Sequence, residues 1–146
     1  MLPFRRKLRT LLDALPAFAM AAEAITVLPD PAAFRRELLR LIAQASRRIV
    51  IMTLYLQDDE GGREVLDALS AAKASHPALQ ISVFVDWHRA QRGLIGKQKS
   101  PGNAAMYRDQ AQRLGAGVRV WGVPVQNREL FGVLHLKGFV FDDTVL

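Results

Sequence analysis

Val133-Leu134-His135-Leu136-Lys137-Gly138-Phe139-Val140-Phe141-Asp142 is the stretch that most narrows the fold of this chain. It lies in a run from Gly132 to Phe141 that is apolar on both faces, the pattern of a strand buried within a sheet. Period-two alternation puts His135 and Lys137 on one face, with Val133, Phe139 and Phe141 beside them. A lysine in the middle of an apolar strand is costly unless its charge meets an anion. A histidine and a cation side by side suit a phosphate ester: the imidazole attacks phosphorus while the ammonium holds the non-bridging oxygens. An edge strand, with Lys137 in solvent and His135 filling a gap, is the alternative these residues leave open.

Outward from that stretch, strands alternate with helices. Asp30 caps and Pro31 opens a helix expected to run to about Ala45, with Phe34, Leu38, Leu41 and Ile42 on one face. Ile49 to Leu56, after Arg47-Arg48, is a short apolar run of the kind found in buried strands. A second helix is expected from about Arg63 to Ser75, burying Val65, Leu66, Leu69 and Ala72. Ile81 to Val85 and Val118 to Trp121 are further strands. Between them lie an irregular stretch, Asp86 to Gly102, and a helix near Asn103 to Leu114 that Gly115 stops. The class this order predicts is α/β, a mostly parallel sheet flanked by helices.

The 146 residues match one domain of ordinary size, ~100–200 residues. Half are apolar and 23% charged, enough to bury a core and unlike a disordered chain. The absence of cysteine excludes a disulfide scaffold, Cys-ligated zinc, iron–sulfur clusters and thiol nucleophiles. Twenty Lys and Arg against 14 Asp and Glu give a net charge of +6. The pI near 10.3 favours anionic partners, whether nucleic acid, phosphorylated metabolites or acidic lipid surfaces. No apolar run reaches the ~18–20 residues that span a bilayer. Residues 1–28 divide from a domain at 29–146. In the leader, Arg5-Arg6-Lys7-Leu8-Arg9 precedes Leu11 to Ala22, superficially like a signal peptide, but Asp13 and Pro16 interrupt its apolar part. A basic segment with a short, broken helix is the preferred reading, suited to an anionic membrane surface.

His135, Lys137 and Asp142 also complete His-x-Lys-x-x-x-x-Asp, the signature of the phospholipase D superfamily. Phe34-Arg35 with Leu38-Leu39 and Ile42, then Leu54-Tyr55-Leu56, extend the likeness. So do Val85-Asp86-Trp87-His88-Arg89-Ala90-Gln91-Arg92-Gly93 and Gly132 through Asp142-Asp143. Together these resemble the N-terminal region of the bacterial phospholipase D-type phosphatidylserine synthases, from about residue 26 onward. The resemblance implies a phospholipase D-like fold, here an incomplete first half. It also implies a transferase making phosphatidylserine and CMP from CDP-diacylglycerol and L-serine through a phosphohistidine. No metal or other cofactor is implied, and nucleic acid is not the expected partner. The expected place is cytoplasmic, peripheral to the inner face of the membrane. His135, Lys137 and Asp142 would be the catalytic motif, with His135 one of two histidines and Lys137 a phosphate clamp. Asp142 follows His135 by an odd number of residues, so on a continuous strand it faces away and reads as a turn or support residue.

The chain holds one His-x-Lys, since Ala78 and Ala90 stand two residues after His76 and His88. The second half-site is expected from further C-terminal sequence or from a second copy across a two-fold axis. The chain stops soon after its fourth strand and reads as the front of something longer. Substrate contacts are expected of Trp87, His88, Arg89, Arg92 and Tyr55. From Trp87 through Arg108 there are five cations (Arg89, Arg92, Lys97, Lys99, Arg108) and no carboxylate. That loop lies at the carboxyl end of a strand, where open α/β sheets collect ligands; Trp87 would stack on the cytidine. Gly93 to Lys97 fails as a Walker loop because Gln91 stands where glycine belongs and Gln98 follows the lysine. Asp58-Asp59-Glu60 reads as a helix cap before a cation site. Two other readings stand: a phosphodiesterase acting on nucleic acid or phospholipid, and an inactive fragment.

Overall fold

Capping and apolar spacing shape the helices much as expected. Helix α1 runs Pro31–Gln44 and buries Ala33, Leu38, Leu41 and Ile42. Phe34 sits at the margin of that face, its ring edge-on to Phe139 with centroids 5.8 Å apart. Helix α2, Glu60–Ser75, begins three residues before the expected Arg63. Asp59 supplies the reason: its carboxylate accepts the N–H of Gly62 at 2.9 Å, so the cap precedes both glycines. The cap reading of this acidic run is borne out. A Cβ on Gly62 would lie 1.9 Å from the carbonyl oxygen of Gln57, so only glycine lets the loop pass this close.

Strands β1 (Arg48–Met52), β2 (Gln80–Asp86) and β3 (Arg119–Val123) are followed by β4 (Gly138–Phe141) and β5 (Thr144–Val145). Helix α3 (Trp87–Ala90) opens the stretch expected to be irregular, and α4 is Asn103–Leu114. This computed structural model describes residues 15–90, 102–114, 117–125 and 134–146. The chain forms two compact units, Met1–Asp30 and Pro31–Leu146. In the first, the broken helix expected over Leu11 to Ala22 does not form on its described part: residues 15–21, which include Pro16, carry no helix. A 3-10 turn at Ala22–Ala24 is the regular structure among the described residues, while 11–14 lie outside them. No helix among the described residues is long and apolar enough to cross a membrane.

The five strands form one sheet in the order β3-β2-β1-β4-β5. The α/β class is borne out: β1 pairs β2, and β2 pairs β3, in parallel. The pairs β1–β4 and β4–β5 are antiparallel. Alternation buries Ile49 and Ile51 with Ile81, Val83 and Val85 against Leu38, Leu41 and Ile42 of α1 and Leu66 and Leu69 of α2. Each buried leucine or isoleucine contributes about 1.5–3 kcal/mol of apolar transfer.

Two strand expectations are corrected. The first strand, expected to run to Leu56, ends at Met52. The run expected as a strand from Gly132 does not form one at 134–137: pairing starts at Gly138, opposite Met52, the last residue of β1, and Gly132 lies outside the described residues. On the β1 side the ladder ends at Met52, so residues 134–137 lie past its reach; residues 126–133 lie outside those described. Lys137 is therefore exposed at the strand's entrance, and its charge is not buried.

Candidate active site

Strand direction decides where the motif sits. Because β4 runs antiparallel to β1, its entrance lies at the carboxyl end of β1 and β2, where open α/β sheets place their ligands. His135 and Lys137 are both exposed there, and Lys137 Nζ lies 3.5 Å from His135 Nε2. One nitrogen nucleophile and one ammonium are thus close enough to meet the same phosphoryl group.

Asp142 occupies the turn after β4 with φ of 51°, a left-handed conformation that Asp tolerates better than most residues. Its Oδ1 accepts the backbone N–H of Arg47 and of Arg48, each at 2.9 Å. Oδ2 accepts from the Ser46 N–H at 2.9 Å and from the Ser46 hydroxyl at 3.1 Å. These backbone donors hold the carboxyl well below the usual carboxylate range. Both oxygens are committed to the α1–β1 connection. Arg47 adds an exposed ion pair to Asp143 beside it.

Asp86, the last residue of β2, is fully buried. Its Oδ1 accepts the Arg89 N–H and its Oδ2 the Leu134 N–H, each at 2.8 Å. The first bond caps α3; the second holds the residue immediately before His135. The Asp86 N–H itself donates to the Leu54 carbonyl at 3.0 Å. Tyr55 follows in that loop, half-buried.

The other predicted contacts are spread wider. Trp87, His88 and Arg89 make up most of α3, with His88 exposed and Arg89 half-buried. The Trp87 ring leans toward β3, on the opposite side of β2 from β1 and β4. A Cβ on Gly122 would stand 2.5 Å from its Cε3. Trp87 helps line a cavity of about 420 Å³ with Val85, Tyr107, Arg108 and Val120, a set that does not include His135 or Lys137. Arg92, Lys97 and Lys99 lie outside the described residues. Among the described residues no group of three or more His, Asp or Glu could hold a metal ion.

Three supports went unread in the sequence. Asp86 carried a signal, an aspartate one position before a helix start, the usual place of an N-cap. Tyr107 and Asn103 of α4 carried none. The Tyr107 hydroxyl donates to the Leu56 carbonyl at 2.7 Å and accepts the Leu56 N–H at 2.8 Å. Burial pushes that hydroxyl up to about 12. Asn103 Oδ1 accepts the Asp58 N–H at 2.8 Å, so α4 clamps the β1–α2 loop at two points.

No protein-family model matches the chain. It is 47% identical over 138 residues to the CDP-diacylglycerol–serine O-phosphatidyltransferase of Haemophilus influenzae, covering 92% of this chain and 30% of that protein. The crystal structure of the Haemophilus influenzae phosphatidylserine synthase matches with a TM-score of 0.87 at 43% identity, over 96% of this chain and 31% of that one. The chain is homologous to the phosphatidylserine synthases. The likeness read from the sequence is thereby borne out, and so is the fold. The CDP-diacylglycerol–serine O-phosphatidyltransferase of Escherichia coli is likewise 47% identical, over 97% of this chain and 32% of its own length. The chain therefore spans about a third of the length of the synthases it matches. A CDP-diacylglycerol–glycerol-3-phosphate 3-phosphatidyltransferase of Schizosaccharomyces pombe is 28% identical over 90% of the chain.

Proposed function

We propose that this chain supplies one of two His-x-Lys half-sites of a phosphatidyltransferase that converts CDP-diacylglycerol and L-serine to phosphatidylserine and CMP. The observation that carries the reading is the exposed pair of His135 Nε2 and Lys137 Nζ, 3.5 Å apart at the carboxyl ends of parallel strands. The 47% identity to proteins named for this transfer supports the choice of reaction. In the first step a motif imidazole attacks the phosphorus next to diacylglycerol. A nitrogen–phosphorus bond forms, the bond to CMP breaks, and the other histidine protonates CMP. In the second, the serine hydroxyl attacks, its proton passes to that other histidine, and the nitrogen–phosphorus bond breaks. Lys137 holds the non-bridging oxygens as charge builds on them. His135 is one of the two histidines, and Asp142, at the other end of β4, supports the turn that closes onto the start of β1.

The second half-site comes from sequence beyond this chain or from a second copy. The lipid substrate and the net charge of +6 favour work at an anionic membrane surface, as a peripheral protein on its cytoplasmic side. Trp87, His88, Arg89 and Tyr55 are kept as candidate contacts to the nucleotide, as is Arg92, which lies outside the described residues.

The test is CMP release from CDP-diacylglycerol by the native protein. Release should require serine, and His135→Ala should lower it at least about 100-fold, the scale of a lost nucleophile or general acid–base group. Serine-independent release would make it a phosphodiesterase. Release with glycerol 3-phosphate but not serine would move it to the acceptor of the 28% relative. Full activity in His135→Ala would overturn the site.

A further inference from the structure

We infer that Asp86 is a positioning residue for His135, holding the motif's entrance through the backbone amide of Leu134. The inference rests on the proposed catalytic role of His135. A fully buried carboxylate is tolerated only when its oxygens are hydrogen-bonded, and here each oxygen accepts one backbone N–H at 2.8 Å. One of those donors is Leu134. From Gly138 onward the β4 backbone is held by the β1 ladder, which ends at Met52 and does not reach residues 134–137. His135, Leu136 and Lys137 are all exposed, so side-chain packing does little to fix them. The direction in which the chain carries His135 is set by the anchored amide next to it. The same carboxylate caps α3 through Arg89, and the Asp86 N–H holds Leu54, so one residue joins the ends of β1 and β2 to the motif. In-line attack at phosphorus needs the nucleophile placed to within about 1 Å, and a displacement of that size costs up to about 100-fold in rate.

The experiment compares Asp86→Asn with His135→Ala in the native protein, by steady-state CMP release and by amide hydrogen exchange. Asparagine keeps the size of aspartate but replaces one acceptor with a donor. The expected result is a kcat lower by about 10–100-fold with KM for CDP-diacylglycerol within about twofold. Exchange at the Leu134 amide should quicken by about tenfold while β1 and β2 keep their protection. A full kcat, a loss confined to KM, or exchange that rises equally through β1 and β2 would overturn the inference. Exchange in the unmodified protein gives a check that needs no variant: the Leu134 amide should be protected, and exchange at the rate of a free amide would overturn the anchor. An inactive His135→Ala beside a fully active Asp86→Asn removes the positioning role alone. An active His135→Ala removes the proposed function, whatever Asp86 does to exchange.

Discussion

The carboxylate of Asp142 receives the backbone N–H of Arg48 at 2.9 Å, across 94 residues of chain. The Asp142 N–H in turn donates to the Arg48 carbonyl at 2.9 Å. With Ser46 and Arg47 also donating, the third position of the motif acts as a clasp that closes the β4–β5 turn onto the start of β1.

Asp142→Ala removes that clasp and leaves three N–H groups to water. Its Tm should fall by about 3–6 °C in differential scanning calorimetry. The carboxyl titrates below its ordinary 3.8 in the folded protein, so beneath pH 3.8 the unfolded chain binds the extra proton first. The clasp's contribution is complete above that pH and is lost as pH falls through the folded-state value. The wild-type and Ala stability curves should therefore converge on acidification. Parallel curves would show that the clasp does not stabilise the fold.

Tyr107→Phe deletes both bonds to Leu56 while keeping the ring in the core. Urea unfolding should show a loss of about 1–2 kcal/mol, the cost of leaving a partly buried amide and carbonyl unpaired. The folded hydroxyl titrates near 12 against an ordinary 10.0. Between those values the unfolded tyrosine gives up its proton while the folded one keeps it, so wild-type stability declines as pH rises. The gap between wild type and Phe variant should narrow from about pH 10 to 12, and a constant gap would place the hydroxyl in water.

Gly122→Ala drives a Cβ to 2.5 Å from the Trp87 ring. Trp87 is 49% exposed, so moving its ring further into solvent should change stability little. Tryptophan emission should shift to the red, and the shift should vanish in a Trp87→Phe background. Unchanged emission would mean that the ring does not lie against β3.

Lys137→Ala should lower kcat for CMP release by about 100–1,000-fold, the scale of one removed charge at a developing oxyanion. Lys137→Arg keeps the charge but spreads it over a wider fork and should restore only part of the loss. Equal activity in all three proteins would put Lys137 outside the reaction.

Much of the fold was legible because local chemistry wrote it. Asp30-Pro31 marked the start of α1, and the alternation of Ile81, Val83 and Val85 marked the buried face of β2. The overextended fourth strand shows where such reading stops. The apolar pattern from Gly132 onward is that of a strand, yet a strand requires a neighbour, and Met52 ends the neighbour at Gly138.

The site divides along the same line. His135 and Lys137 stand two residues apart, so any extended backbone carries them together, and the sequence by itself determined that a histidine and a cation would stand side by side. It also determined the order of strands and helices, since periodicity and caps act within a few residues. Only the tertiary structure decided which end of the sheet the pair occupies, that Asp142 turns back to Arg48, and that Asp86 holds Leu134 across 48 residues. Hydrogen bonds between distant segments leave no periodic trace in the chain. Their partners are backbone amides, which every residue but proline provides alike, so nothing in a side-chain sequence distinguishes the amide that is held.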